Sequence, residues 1–216
     1  QLIDEAIEFV NQVYIPDLLA IASFYKDWTH GGGLNNYLCY GDFPTGDIRD
    51  LNTYRMPRGV VLNGNLNEVH ELDMKDPEQI QEFIDRSWYT YDGKNEGAKH
   101  PFDGETTMNY TGPKPPYTHL NTDEKYSWLK SPRWKGQPME VGPLARIMVA
   151  YAAGVKEVKE LVDDTVKKLG VPMSALHSAL GRTAARGLET VLTAQWMRDD
   201  MDRLLANIKN GDQVTF

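Results

Sequence analysis

The side chains able to do chemistry are few and scattered. Five histidines stand at positions 30, 70, 100, 119 and 177. None pairs at H-x-x-H or H-E-x-x-H spacing, which would turn two imidazoles toward one zinc ion, so a local zinc site has no support. The one cysteine, Cys39, lies between Leu38 and Tyr40. No second thiol is available to bridge it and no basic neighbour to stabilise a thiolate, so a buried, unreactive thiol is expected. His100, in KHPFDG, is the most suggestive imidazole. Pro101 fixes the backbone after it and Asp103 is near enough to orient the ring, yet a loop-tying role is favoured over acid–base work. Asp103 and Glu105 are too loosely placed to form a glycosidase pair. No G-x-S-x-G elbow, phosphate loop or G-x-G-x-x-G turn is present.

Arginines inside apolar helical patterns are the other candidates. Met139 to Tyr151, MEVGPLARIMVAY, carries Arg146 among Leu144, Ile147, Met148 and Tyr151, which recur at helical spacing. Pro143 suits the first turn of that helix, where its missing N–H would have no intrahelical partner. Ser178 to Glu189, SALGRTAARGLE, repeats the theme with Arg182 and Arg186 four apart among small residues. A buried guanidinium must be paired, so these arginines either cross-link helices or snorkel to water. Glu140 and Glu189 are the nearest candidate acids. Glu140 would stay ionised near a helix N-terminus or pair with an arginine.

The bulk properties bound what such residues could serve. The 216 residues are 41% hydrophobic and 25% charged, which is ordinary globular material. Lys and Arg number 23 against 31 Asp and Glu, for a formal charge of -8. That balance argues against a general nucleic-acid binder. No apolar run approaches the ~20 residues of a membrane span, and no signal-peptide pattern opens the chain. The chain lacks an initial Met and begins inside a periodic pattern, as an excerpt from something longer would.

The elements expected to position these groups run as follows. Residues 1–28 read as helix, with one stripe at Leu2, Ala6, Phe9 and Val13 and another at Leu18, Ile21, Ala22 and Tyr25. Pro16 either kinks one long helix or starts a second. Thr29-His30-Gly31-Gly32-Gly33 ends the helical region. NYLCYGDF reads as a short strand, and Gly59–Glu68 as a hairpin turning at Asn63-Gly64. Asp76-Pro77-Glu78 opens a short helix with Ile80, Phe83 and Ile84 inward. Residues 92–137 read as mostly irregular, with aromatics (Phe102, Tyr110, Tyr117, Tyr126, Trp128, Trp134) that pin the segment to some surface. After Gly154, Val155 to Leu169 forms an amphipathic helix closed by Gly170 and Pro172. A long helix runs from about Ser174 to Ile208. The fold class is therefore α+β and mainly helical, with a long-helix core, a small hairpin region and a long aromatic-rich irregular segment.

Several stretches carry a resemblance. EFVNQVYIPDLLAIASFYKDW (8–28), NYLCYGDFP (36–44), MPRGVVLNG (56–64), QIQEFIDRSWYTY (79–91), HPFDGET (100–106), EKYSWLKSPRWKGQPMEVGPLARIMVAY (124–151) and LGRTAARGLET (180–190) occur in this order. Together they resemble an internal portion of the large subunit of nickel–iron hydrogenases, close to the periplasmic uptake type of sulfate-reducing bacteria. The resemblance implies that 1–216 is an internal part of a single large-subunit domain. It also implies reversible oxidation of H2 at a Ni-Fe(CO)(CN)2 centre, held by two C-x-x-C pairs that this stretch does not contain. No catalytic, cofactor-binding or metal-ligating residue is carried over onto 1–216, Cys39 included, and the chain alone is expected to be inactive. The implied partners are an iron–sulfur small subunit and a low-potential acceptor such as a c-type cytochrome, in the periplasm. The rival expectation is a helical scaffold or interaction module that kept the fold without redox chemistry.

Overall fold

The computed structural model describes residues 1–29, 33–117, 119–212 and 214. His30 and the first two glycines of the expected helix stop lie outside them. The chain divides into two compact units, one built from Gln1–Gly33 with Gly154–Phe216 and the other from Leu34–Ala153.

The first unit opens with α1 (Leu2–Phe9), a single π turn at Val10–Tyr14, α2 (Ile15–Ala22) and a 3-10 segment at Ser23–Thr29. Pro16 sits in the first turn of α2. The wider turn lets the backbone stay helical where proline has no N–H to give. The stripe expected on Leu2, Ala6, Phe9 and Val13 is displaced: Leu2 is 80% and Phe9 57% exposed. Val10 is buried instead, against Val191 and Ala194, with Ile7 and Ile15 beside it. Two apolar stripes lie side by side on this helix, and periodicity alone does not choose between them.

Among the described residues, the strands lie in the second unit. In chain order they are β1 (Tyr37–Cys39), β2 (Asp42–Pro44), β3 (Tyr54–Met56), β4 (Gly59–Val61), β5 (Ile80–Phe83), β6 (Tyr89–Thr90), β7 (Ala98–Lys99), β8 (Thr107–Met108), β9 (Ser131–Trp134) and β10 (Gln137–Pro138), followed by α3 (Pro143–Ala152). They form an antiparallel sheet in the order β10-β9-β5-β7 and three two-stranded pairs, β1-β4, β2-β3 and β6-β8. The stretch NYLCYGDF, expected as one short strand, is broken at left-handed Gly41 into β1 and the start of β2, which pair with β4 and β3. The Asn63-Gly64 turn has the expected positive φ at both residues, but no regular hairpin surrounds it. β4 pairs with β1, and the return stretch meets it only at Val60–His70, where each N–H bonds the other's carbonyl at 3.0 and 2.8 Å.

The helix expected after Asp76 is instead a strand, β5, pairing with β9 from Ile80–Trp134 to Phe83–Ser131. Asp76 still caps a turn, accepting from Glu78 N at 2.9 Å, after which the chain extends. Segment 92–137 contains short strands and so is less irregular than expected. Two of its aromatics, Tyr110 and Trp128, are pinned on Trp88, which lies edge-on to them at 4.8 and 5.2 Å between ring centroids, whereas Phe102 and Tyr117 are exposed. The core of the unit joins Leu38, Val60, Leu72, Ile80, Trp134 and Met139. Leu144, Ala145, Ile147, Met148, Val149 and Ala150 make α3 buried on most sides.

The chain then returns to the first unit. α4 (Lys156–Leu169) buries Val158 and Val162. It ends at left-handed Gly170, with Val171 N reaching back to Val166 O at 3.1 Å. A 3-10 turn, Met173–Leu176, delays the long helix α5 (Ala179–Lys209). Ser178 caps α5 by accepting from Gly181 N at 3.1 Å. Small residues allow close approach here: a Cβ on Gly187 would meet Leu18 Cδ2 at 2.5 Å, and one on Gly181 would meet Leu176 O at 2.0 Å. The fold is thus α+β and mainly helical, as the sequence predicted. Among the described residues no helix is long and apolar enough to cross a membrane.

Candidate functional site

The second unit holds a cavity of about 350 Å3 with charged side chains in its wall, bordered by β1, β2, β5, the approach to β9 and the start of α3. Register builds it. β5 runs beside β9, so Glu82 comes level with Pro132 and close to Lys130. Lys130 Nζ lies 2.5 Å from Glu82 Oε2, with the side chains 24% and 25% exposed. Burial works against the charge on Lys130, but the bond and attraction of Glu82, helped by the Tyr91 phenol, outweigh it and hold the ammonium above its ordinary range. Burial pushes the Tyr40 phenol up, and the Glu82 carboxylate adds to that shift.

On the same cavity wall, Arg146 NH1 of α3 reaches Asp42 Oδ2 of β2 at 3.6 Å. The backbone of Glu140 joins β1, its carbonyl accepting from Leu38 N and its N–H donating to Asn36 O. Gly142 starts α3 with a φ of 103°, a conformation that favours glycine. Cys39 borders the cavity but is only 2% exposed, and its Sγ accepts from Gly41 N at 3.4 Å. The thiol is buried, as expected.

The other candidates are dispersed. His100 is buried, with Phe102 N donating to Nδ1 at 3.1 Å and Nε2 3.0 Å from Met74 O. Because Nδ1 accepts, Nε2 carries the proton and donates, so both ring nitrogens are spent on backbone. Asp103 was expected to orient the ring; it meets His100 through the backbone, Asp103 N to His100 O at 2.9 Å. Its side chain and that of Glu105 are exposed. His70 Nδ1 lies 3.6 Å from Glu68, and His119 is exposed. Arg186 is exposed and donates to Arg182 O one turn back, at 3.1 Å, while Arg182 is half-buried.

A feature that the sequence did not single out is Lys125. Its Nζ donates to three backbone carbonyls, Ile84 O at 2.8 Å, Ser87 O at 2.6 Å and Tyr89 O at 3.2 Å. In EKYSW it reads as a solvated lysine, because carbonyls that converge only in the fold leave no mark in sequence.

The profile of the family described as nickel-dependent hydrogenase matches residues 1–216. The chain is 49% identical to the uptake hydrogenase large subunit of Rhizobium leguminosarum bv. viciae, over 99% of this chain and 37% of that protein. It is 41% identical to the hydrogenase-1 large chain of Escherichia coli K12, with the same coverage of each. Among solved structures it is similar to the NiFeSe hydrogenase of Dm. baculatum, with a TM-score of 0.64 and 29% identity over 93% of this chain and 38% of that one. The chain therefore spans somewhat over a third of the length of these relatives.

The residues present do not fit a nickel–iron centre. Among those described, no group of three or more His, Cys, Asp or Glu converges to hold a metal. The cavity offers one soft donor, Cys39, already engaged with backbone, and two carboxylates that face an ammonium and a guanidinium. Soft metals select several thiolates, and cationic neighbours disfavour a further cation.

Proposed function

The chain belongs to the nickel-dependent hydrogenase family, and from that premise we propose that it is the interior of a catalytic large subunit. The parent enzyme oxidises H2 reversibly to protons and electrons at a Ni-Fe(CO)(CN)2 centre held by thiolates outside these 216 residues. Electrons pass to an iron–sulfur small subunit and on to a low-potential acceptor such as a c-type cytochrome, with the heterodimer in the periplasm. Both compact units belong to one large-subunit domain. The observation that carries this reading is the family match along the whole chain.

Within that assembly the chain's role is structural. Its ion pairs, its cap and its carbonyl-bound lysine hold helices and loops in place, and residues 1–216 alone bind no nickel and turn over no H2. The test is to translate the gene on both sides of the segment and assay the products. A C-x-x-C pair on each flank, with nickel and H2 uptake in the full-length protein co-produced with its small subunit, is expected. Stop codons or unrelated flanking sequence would leave a scaffold that kept the fold without its chemistry. Stoichiometric nickel and turnover in 1–216 alone would overturn the structural role.

A further inference from the structure

Segments 84–89 and 123–129 are stitched together in both directions. Trp88 N donates to Ser127 O at 2.9 Å and Tyr126 N to Arg86 O at 3.0 Å. The Trp88 indole N–H donates to Lys125 O at 3.1 Å, while the Lys125 ammonium returns three bonds to the first segment. Ile84 O and Ser87 O each also accept a turn N–H, from Ser87 at 2.8 Å and Tyr89 at 2.7 Å. Those turn bonds occupy one lone pair of each oxygen and leave the second for the cation. An ammonium has three protons at this end, and three carbonyls take them. The turn side of the site is buried, with Ser87 1% and Trp88 8% exposed, while Lys125 is half-buried. Burial pushes the Lys125 ammonium below its ordinary range, and Asp85 and Glu96, outside the ring of carbonyls, offset part of that shift.

We propose that the 84–89 turn is a primary-ammonium site made of backbone carbonyls, with Lys125 as its tethered occupant, and that filling it sets the aromatic cluster of Trp88, Tyr110 and Trp128. The site is a property of the turn, whose carbonyls are aimed by its own hydrogen bonds; Lys125 supplies the cation at high effective concentration. An emptied site leaves a partial negative potential and room for a free amine. The cluster depends on the occupant because Trp88 both follows a ligating carbonyl and bonds the carbonyl of Lys125. This inference stands independently of the family's catalytic activity.

The experiment compares K125A and K125M in the full chain, by thermal unfolding and near-ultraviolet circular dichroism, with methylammonium chloride as the probe and tetramethylammonium chloride at equal concentration as the control. K125A is expected to melt below the parent with a weakened aromatic signal. Methylammonium should restore more than half of both losses, and the control, with no N–H to donate, should restore neither. K125M fills the volume without a charge, so it should stay destabilised and ignore both salts. Equal responses of K125A to the two salts, no folding in either salt, or parental stability in K125M would each overturn the proposal.

Discussion

Removing one member of the Glu82–Lys130 pair should cost more than a surface ion pair and less than a fully buried one. At 2.5 Å the gross attraction runs from about 1.7 kcal/mol at the dielectric of water to about 6.6 kcal/mol at an effective value of 20, before desolvation is charged against it. Exposed pairs are worth ~0.2–1 kcal/mol, and breaking a buried one costs ~3–5 kcal/mol. With a quarter of each side chain exposed, E82Q or K130M should lose about 1–3 kcal/mol, roughly 2–4 °C of Tm for each kcal/mol at this chain length. The double variant should lose less than the sum, by a coupling energy of about 1–2 kcal/mol in urea unfolding. The pair also carries a pH signature. A raised ammonium binds its proton more tightly folded than unfolded, so its stabilisation is complete below the ordinary lysine pKa and lost as pH rises through the folded value. The stability gap between the parent and K130M should therefore be flat through neutral pH and close at strongly alkaline pH. Additive single losses, or a gap that persists at alkaline pH, would refute the assignment.

Two glycines of α5 should separate backbone clash from side-chain clash. At Gly181 an added Cβ meets the Leu176 backbone at 2.0 Å; overpacking costs ~1–3 kcal/mol or more, against ~1 kcal/mol of gained helix propensity. G181A should melt lower than the parent, while G187A, whose clash is with the flexible end of Leu18, should stay within about 1 kcal/mol of it; the reverse order in a melting series would contradict the packing described. H100A strands Met74 O and Phe102 N, and at ~1–3 kcal/mol for each unpaired group should lose about 2–6 kcal/mol by urea midpoint. An unchanged midpoint would mean that the ring does not tie the loop.

Legibility in the sequence tracked the range of the deciding interaction. α4 was readable because its stripe and its left-handed Gly170 are both local. The start of α5 was read a few residues early, since the 3-10 turn at Met173–Leu176 continues the same apolar pattern. β5 was misread for a definite reason. Ile80, Phe83 and Ile84 satisfy a helical period, and Asp76-Pro77-Glu78 imitates a helix start. What makes the segment a strand is SPRW of β9, distant in sequence, which supplies the ladder partners and puts Ile80 against Trp134. The cavity was hidden for the same reason. Glu82 with Lys130 and Asp42 with Arg146 are neighbours only through register and packing, and their separation in sequence conceals both pairs. Burial of Cys39 was readable because its apolar neighbours lie on the same strand.

Six cations of the second unit are engaged by carboxylates, carbonyls or rings, and this bears on what those groups can do. A general base needs a free lone pair, and a general acid or electrostatic catalyst needs a proton or charge directed at a vacant position. Lys130 and Arg146 face carboxylates across the cavity. Lys125 spends three protons on carbonyls, and Arg58 donates to Tyr40 O at 2.7 Å. Arg133 and Lys135 lie over the rings of Phe83 and Trp134. His100, the imidazole that the sequence made most suggestive, uses both nitrogens on the backbone. Charge placed in this way resists displacement, because moving any one group strands a partner that is itself partly buried. Such a unit can fix the position of whatever it supports while offering little reactivity of its own.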